Sequence, residues 1–255
     1  MPLISKNDDD TDIALGIGVP IATSDEKMKE LSSRLQGEFQ IKIKNEATKE
    51  IIERKFNIKK IYVMPESYGT YFDIISTIGE ENIIDAIVIS LDLHTEIITI
   101  YDGNLNRRAS RNLRDASLSV LTDKIALALE EDTGSIVNPH SILESIRDNK
   151  NQIIISGKIV NISKVKEYYI RKIAAEIVDN IIEIQKFVPL DHSIEYYILT
   201  GEASDLFWNE IEMLILQNQL IKDFDVDRVI KVPNPIFSNA KGFELMVKRK
   251  LALSE

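Results

Sequence analysis

A chain of 255 residues with 44% hydrophobic residues can bury a sizeable core, as one large domain or as two lobes, and is not disordered as a whole. Its 41 acidic residues against 31 basic ones leave a formal net charge of -10, which repels phosphate backbones and argues against direct nucleic-acid binding. The absence of cysteine excludes disulfides, thiolate metal sites and a cysteine nucleophile, and fits a cytoplasmic setting.

The polar opening, with Asp8-Asp9-Asp10, reads as loose and unlike a secretory signal. No apolar run nears the roughly 20 residues that span a bilayer, so no membrane partner is expected. Ile13 to Pro20 reads as a short buried strand ended by proline, and Ser24 as the N-cap of a helix that closes at Gly37. Residues 38–64 predict short strands around a charged connection, because Phe39 to Ile43 alternates and Ile61-Tyr62-Val63 runs up to Pro65. Helical spacing follows from Tyr71 to Ile78, then strands from Asp85 to Leu91 and Glu96 to Tyr101, with Asp102-Gly103 starting a hairpin. Ala116 to Leu129 and Ser141 to Asp148 predict helices. Ser163 to Phe187 is the longest amphipathic stretch, with Ile170, Ile173, Ile177, Ile181 and Ile184 on one face. A strand at Tyr196 to Leu199, a helix at Ser204 to Leu216, a strand at Arg228 to Val232 and a helix from Ala240 complete an alternating α/β order.

The run Tyr196-Tyr197-Ile198-Leu199 stops in Thr200-Gly201-Glu202-Ala203-Ser204 and enters a helix. A buried strand delivering small residues to a helix N-terminus makes a pocket whose backbone N–H groups can meet an anion. The three histidines, His94, His140 and His192, lie far apart without a metal-ligand spacing. No G-x-G-x-x-G, G-x-x-x-x-G-K-[ST] or G-x-S-x-G occurs, which removes the Rossmann, P-loop and hydrolase-elbow readings, and no constellation for a small-molecule enzyme stands out.

Four segments, in order, carry a resemblance: Gly16-Ile17-Gly18-Val19-Pro20, Ile61-Tyr62-Val63-Met64-Pro65-Glu66-Ser67, Thr200 to Ser204, and Pro233-Asn234-Pro235-Ile236-Phe237-Ser238-Asn239-Ala240-Lys241-Gly242-Phe243. Together they resemble the ParM/StbA plasmid-segregation branch of the actin-like ATPases. The resemblance implies a two-lobed, ribonuclease H-like α/β fold, here incomplete at its N-terminus because the first phosphate hairpin has no counterpart. It divides the chain into a flexible segment 1–12, a first lobe 13–87, a second lobe 88–239 and a returning helix 240–255. Glu66 inherits the role of positioning the attacking water, or is a solvated loop carboxylate near a helix N-terminus. The second phosphate loop, Asp-hydrophobic-Gly-Gly-Thr-Thr in the family, falls on Asp92-Leu93-His94-Thr95-Glu96-Ile97. Asp92 would hold Mg²⁺ through water, whereas His94 and Thr95 replace glycines and Glu96 puts a charge where a hydroxyl is expected; a plain polar hairpin is the alternative. At the adenosine loop, Thr200, Gly201, Glu202, Ala203 and Ser204 would touch the nucleotide, with Glu202 opposing its phosphates, or else form only a tight strand-to-helix turn. The implied cofactor is ATP or GTP with Mg²⁺, or none if these changes abolish binding. Two functions follow: an actin-like protein with weakened or lost hydrolysis that acts through self-association or a filament partner, or an active polymer-forming ATPase completed by another chain. The missing hairpin would leave strand edges that a second copy or a partner covers.

Overall fold

The computed structural model describes residues 11–79, 83–221 and 225–252. The reading of the opening residues as loose therefore lies almost wholly outside the described chain. A three-stranded sheet holds β1 (Thr11–Val19), β3 (Ile51–Pro65) and β2 (Gly37–Lys44) in the order β1-β3-β2, with β1 parallel and β2 antiparallel to β3. Between β1 and β2 lies α1 (Asp25–Leu35), capped as expected by the Ser24 side chain. The charged stretch 38–64 is thus two long strands: its alternation continues through a 15-residue β3 that pairs on both edges.

The second sheet places β4 (Ala86–Leu91) at its centre, between β10 (Tyr196–Thr200), parallel to it, and β5 (Thr95–Tyr101), antiparallel. β11 (Val229–Lys231) extends it beyond β10. β6 (Asn104–Leu105) and β7 (Arg111–Leu113) both pair with β5, so the Asp102-Gly103 turn does start a hairpin. Alternation along these strands fills two cores. Ile87, Ile89, Leu91, Tyr197 and Leu199 pack with α3 (Leu118–Thr133), α5 (Ser163–Gln185) and α6 (Ser204–Gln217). Ala86, Val88, Ile98, Ile100 and Ile198 pack on Tyr71, Ile74 and Ile75 of α2 (Glu66–Ile78). All five expected isoleucines of α5 are buried, each contributing about 1.5–3 kcal/mol. α4 (Pro139–Arg147) and the hairpin β8 (Gln152–Ile155) and β9 (Lys158–Asn161) flank this core. The hairpin was not read from the sequence, since two four-residue strands carry too short a period.

Two helices begin earlier than their spacing suggested. α2 starts at Glu66 directly after Pro65, which stands in extended backbone at the N-cap. α7 (Pro235–Ala252) starts at Pro235 rather than Ala240, because proline's fixed φ and missing N–H suit a first helical position. The two lie against each other at Gly69 and Gly242: a Cβ on Gly242 would fall inside contact distance of the Gly69 carbonyl and 3.0 Å from the Asp73 nitrogen. α7 also packs Phe243 and Val247 on β1, where Gly16 leaves room for them.

Candidate functional site

Three loops meet where β1, β4 and β10 end. Pro65 ends β3 and supplies no side-chain cap to α2, so the first amides of that helix need an outside acceptor. Glu96, a charged residue within the otherwise apolar buried run of β5, provides it. Its Oε1 accepts from the Ser67 hydroxyl at 2.6 Å and the Ser67 N–H at 3.3 Å; its Oε2 accepts from the Ile21 N–H at 2.7 Å. One buried carboxylate thus ties the loop after β1 and the N-terminus of α2 to β5.

Glu66 is exposed at the first position of α2. Gly18 faces it, since a Cβ there would lie 2.8 Å from the Glu66 Cγ. Partial desolvation pushes the Glu66 carboxyl above its ordinary pKa, and the charges of Glu96 and Asp92 push it the same way. The structure therefore brings Glu66, Asp92 and Glu96 within electrostatic reach of one another.

Asp92 follows β4 and spends both carboxylate oxygens inside the protein: Oδ1 accepts from the Glu202 N–H at 2.8 Å and Oδ2 from the Ser90 hydroxyl at 2.8 Å. The bend 92–94 sits on the start of α3, where the carbonyls of Asp92 and Leu93 accept from the N–H groups of Leu118 and Ser119. His94 is exposed, and its carbonyl accepts from the Asp92 N–H. Thr95 is buried, and its hydroxyl has no partner.

At the second turn Gly201 adopts φ +94, and a Cβ there would collide with the backbone of Leu91. This close approach explains why glycine stands there. It also lets the Ala203 N–H reach the Leu91 carbonyl at 2.8 Å, while the Ser204 N–H reaches the Gly201 carbonyl at 3.1 Å. The amides of Glu202, Ala203 and Ser204, expected to face an anion, are thus all engaged within the chain. Thr200 and Ser204 are buried; the Ser204 hydroxyl has no partner, and the Thr200 hydroxyl lies 3.4 Å from that of Thr70. Thr70 in turn donates its N–H and hydroxyl to Asn239 Oδ1 at 3.0 and 2.8 Å, joining α2, β10 and α7. Glu202 turns away to Arg147 of α4, whose Nη2 donates to both its oxygens at 2.7 and 3.0 Å.

Sequence reasoning missed Arg147, Thr70 and Asn239 as members of this constellation. Arg147 is 55 residues from its partner and leaves no sequence signal. Glu96 did leave one: a lone carboxylate within a buried strand.

Residues 3–69 match the family model described as the actin-like proteins' N-terminal domain. An archaeal actin homologue superposes with a TM-score of 0.75 at 20% identity, covering 94% of this chain and 71% of that one. The chain has an actin-like fold. The ADP complex of that homologue is 19% identical with a TM-score of 0.71, over 94% of this chain and 73% of that one. A ParM filament from Clostridium botulinum is 16% identical with a TM-score of 0.63, over 92% and 66% of the two chains. The actin-like protein Alp7A is 12% identical with a TM-score of 0.69, over 98% and 70%. No curated protein sequence matches the chain. Among the described residues of this actin-like chain, no helix is long and apolar enough to cross a membrane.

Proposed function

We propose that this chain is an actin-like assembly protein of the ParM/StbA type whose nucleotide hydrolysis is weakened or lost, and that it works in the cytoplasm by self-association or as a partner of a filament. The supporting observation is the Glu96 carboxylate. In the resemblance it stands where a phosphate loop offers a hydroxyl, and here it takes the Ile21 and Ser67 amides for itself. With Glu66 and Asp92 it makes a cluster of three carboxylates, and placing a nucleotide's phosphates against them costs several kcal/mol at low effective dielectric. Asp92 and the adenosine-side amides are likewise spent on internal bonds.

In this reading residues 13–87 form a first lobe and 88–239 a second, with 240–255 returning to the first. Glu66 is the residue left to position a water. Asp92, His94, Thr95 and Thr200 to Ser204 line what remains of the site for ATP or GTP with Mg²⁺. Calorimetric titration with ATP and Mg²⁺ followed by a phosphate-release assay tests it: absent binding, binding without turnover, or only slow release supports the reading, and rapid steady release overturns it.

A second reading keeps the ATPase active and completes its site with another chain. Its support is the edge of β1, which among the described residues pairs with β3 alone. An unpaired edge of that length is a template for a further strand. Sedimentation of the chain with and without nucleotide separates the two: nucleotide-dependent pelleting with phosphate release favours the second.

A further inference from the structure

The parallel strands β4 and β10 lead into Asp92 and Gly201 at one end of their sheet, and a different cluster closes the other end. Asp85 stands just before β4, Asp102 in the turn between β5 and β6, and His192 in the loop before β10. Each offers one donor atom, all lying within 4.8 Å of one another. We propose that His192 and Asp102 are the protein ligands of a divalent transition-metal site, with Asp85 orienting the imidazole.

Asp85 is the anchor. Its Oδ2 lies 2.9 Å from His192 Nδ1, and its Oδ1 accepts from the Asp102 N–H at 2.9 Å. With its side chain 16% exposed and both oxygens engaged, it assigns the imidazole proton to Nδ1. The Nε2 lone pair is then turned to Asp102, whose Oδ2 stands 3.5 Å away. That separation is long for a hydrogen bond and suits a shared cation: two bonds of about 2.1 Å at a near-tetrahedral angle place their donor atoms about 3.4 Å apart. A carboxylate holding the far nitrogen of a metal-bound imidazole is the usual second contact of such sites. The Tyr101 ring packs beside the imidazole, 4.9 Å away between centroids. The Asp102 side chain is 74% exposed, which leaves the open face for water ligands.

The field is right for a cation. The carboxylates of Asp85 and Asp102 both face the imidazole, and Asp191 precedes it in the chain. A nitrogen donor beside a carboxylate selects Zn²⁺, Co²⁺ or Ni²⁺ over Ca²⁺ and Mg²⁺, and protons compete with the metal for the ring. A bound ion would pin the loop before β10 to the turn after β5.

Zn²⁺ titration of the full chain at pH 7.5, followed by calorimetry and by NMR of its three histidines, tests this. One equivalent is expected to shift the His192 ring signals while those of His94 and His140 stay. His192→Gln and Asp102→Asn, with circular dichroism unchanged, should each weaken binding at least tenfold, and Asp85→Asn about 10–100-fold. A His192 ring that titrates with protons but ignores Zn²⁺, or variants that bind Zn²⁺ as the parent does, would overturn the proposal.

Discussion

Replacing Glu96 with alanine removes the one acceptor shared by the Ile21 amide, the Ser67 amide and the Ser67 hydroxyl. A hydrogen bond to a charged group contributes about 1.5–3 kcal/mol, and the two shortest here would cost about 3–6 kcal/mol if nothing replaced them. Two effects reduce that figure: water entering beside exposed Glu66 refills part of the gap, and Glu66 and Asp92 lose a like-charged neighbour. The expected net loss is about 2–4 kcal/mol by urea denaturation. Glu96→Gln retains one carbonyl acceptor and should lose about half as much. Hydrogen exchange makes the assay local, because the amides of Ile21 and Ser67 should lose protection together although they are 46 residues apart in sequence. Formate, a free carboxylate, should restore part of the lost stability in Glu96→Ala and none in the parent. A Glu96→Ala protein within about 0.5 kcal/mol of the parent, with both amides still protected, would refute the stitching role.

Because the Glu66 carboxyl is raised in the folded state, its protonated form is favoured there, and that contribution is lost as the pH climbs through the folded value. Glu66→Gln should therefore stabilise the protein at pH 7 and make no difference below the ordinary carboxyl value near 4.5, as read from denaturation curves across pH; equal effects at both ends would contradict the assignment. Gly242→Ala forces α2 and α7 apart at their closest approach and should cost about 2–4 kcal/mol, whereas an alanine at Gly134, where a Cβ meets open space, should cost only the strain of its left-handed φ of +65. Arg147→Ala frees an exposed carboxylate, so stability should change by less than about 1 kcal/mol while any ATP affinity falls, which calorimetry would read.

The fold was legible wherever a period was long. The five buried isoleucines of α5 mark one face over about four turns, and β4 and β10 read as apolar runs, with Ser90 the one interruption in β4, because helices cover both faces of their sheet. Legibility failed where geometry between distant segments decides. Gly69 sits in a helix interior where propensity argues against it, and only the α7 backbone pressed on it explains its presence. The early start of α7 at Pro235 follows a local rule that the apolar spacing masked. At the site, the sequence marked Glu96 and Glu202 as charges in places expected to meet phosphates. It carried no sign that Glu96 caps a helix or that Glu202 turns to Arg147, since both partners are set by tertiary packing.

Under the proposed function, the donors turned inward at this site leave hydrolysis weakened or lost. Steady-state phosphate release from ATP and Mg²⁺, measured on the full chain beside Glu96→Thr, is the decisive measurement. The expected result is little or no release from the parent and tighter ATP binding by the variant, in which a hydroxyl replaces the charge. Rapid sustained release from the parent, or ATP binding that Glu96→Thr leaves unchanged, would refute it.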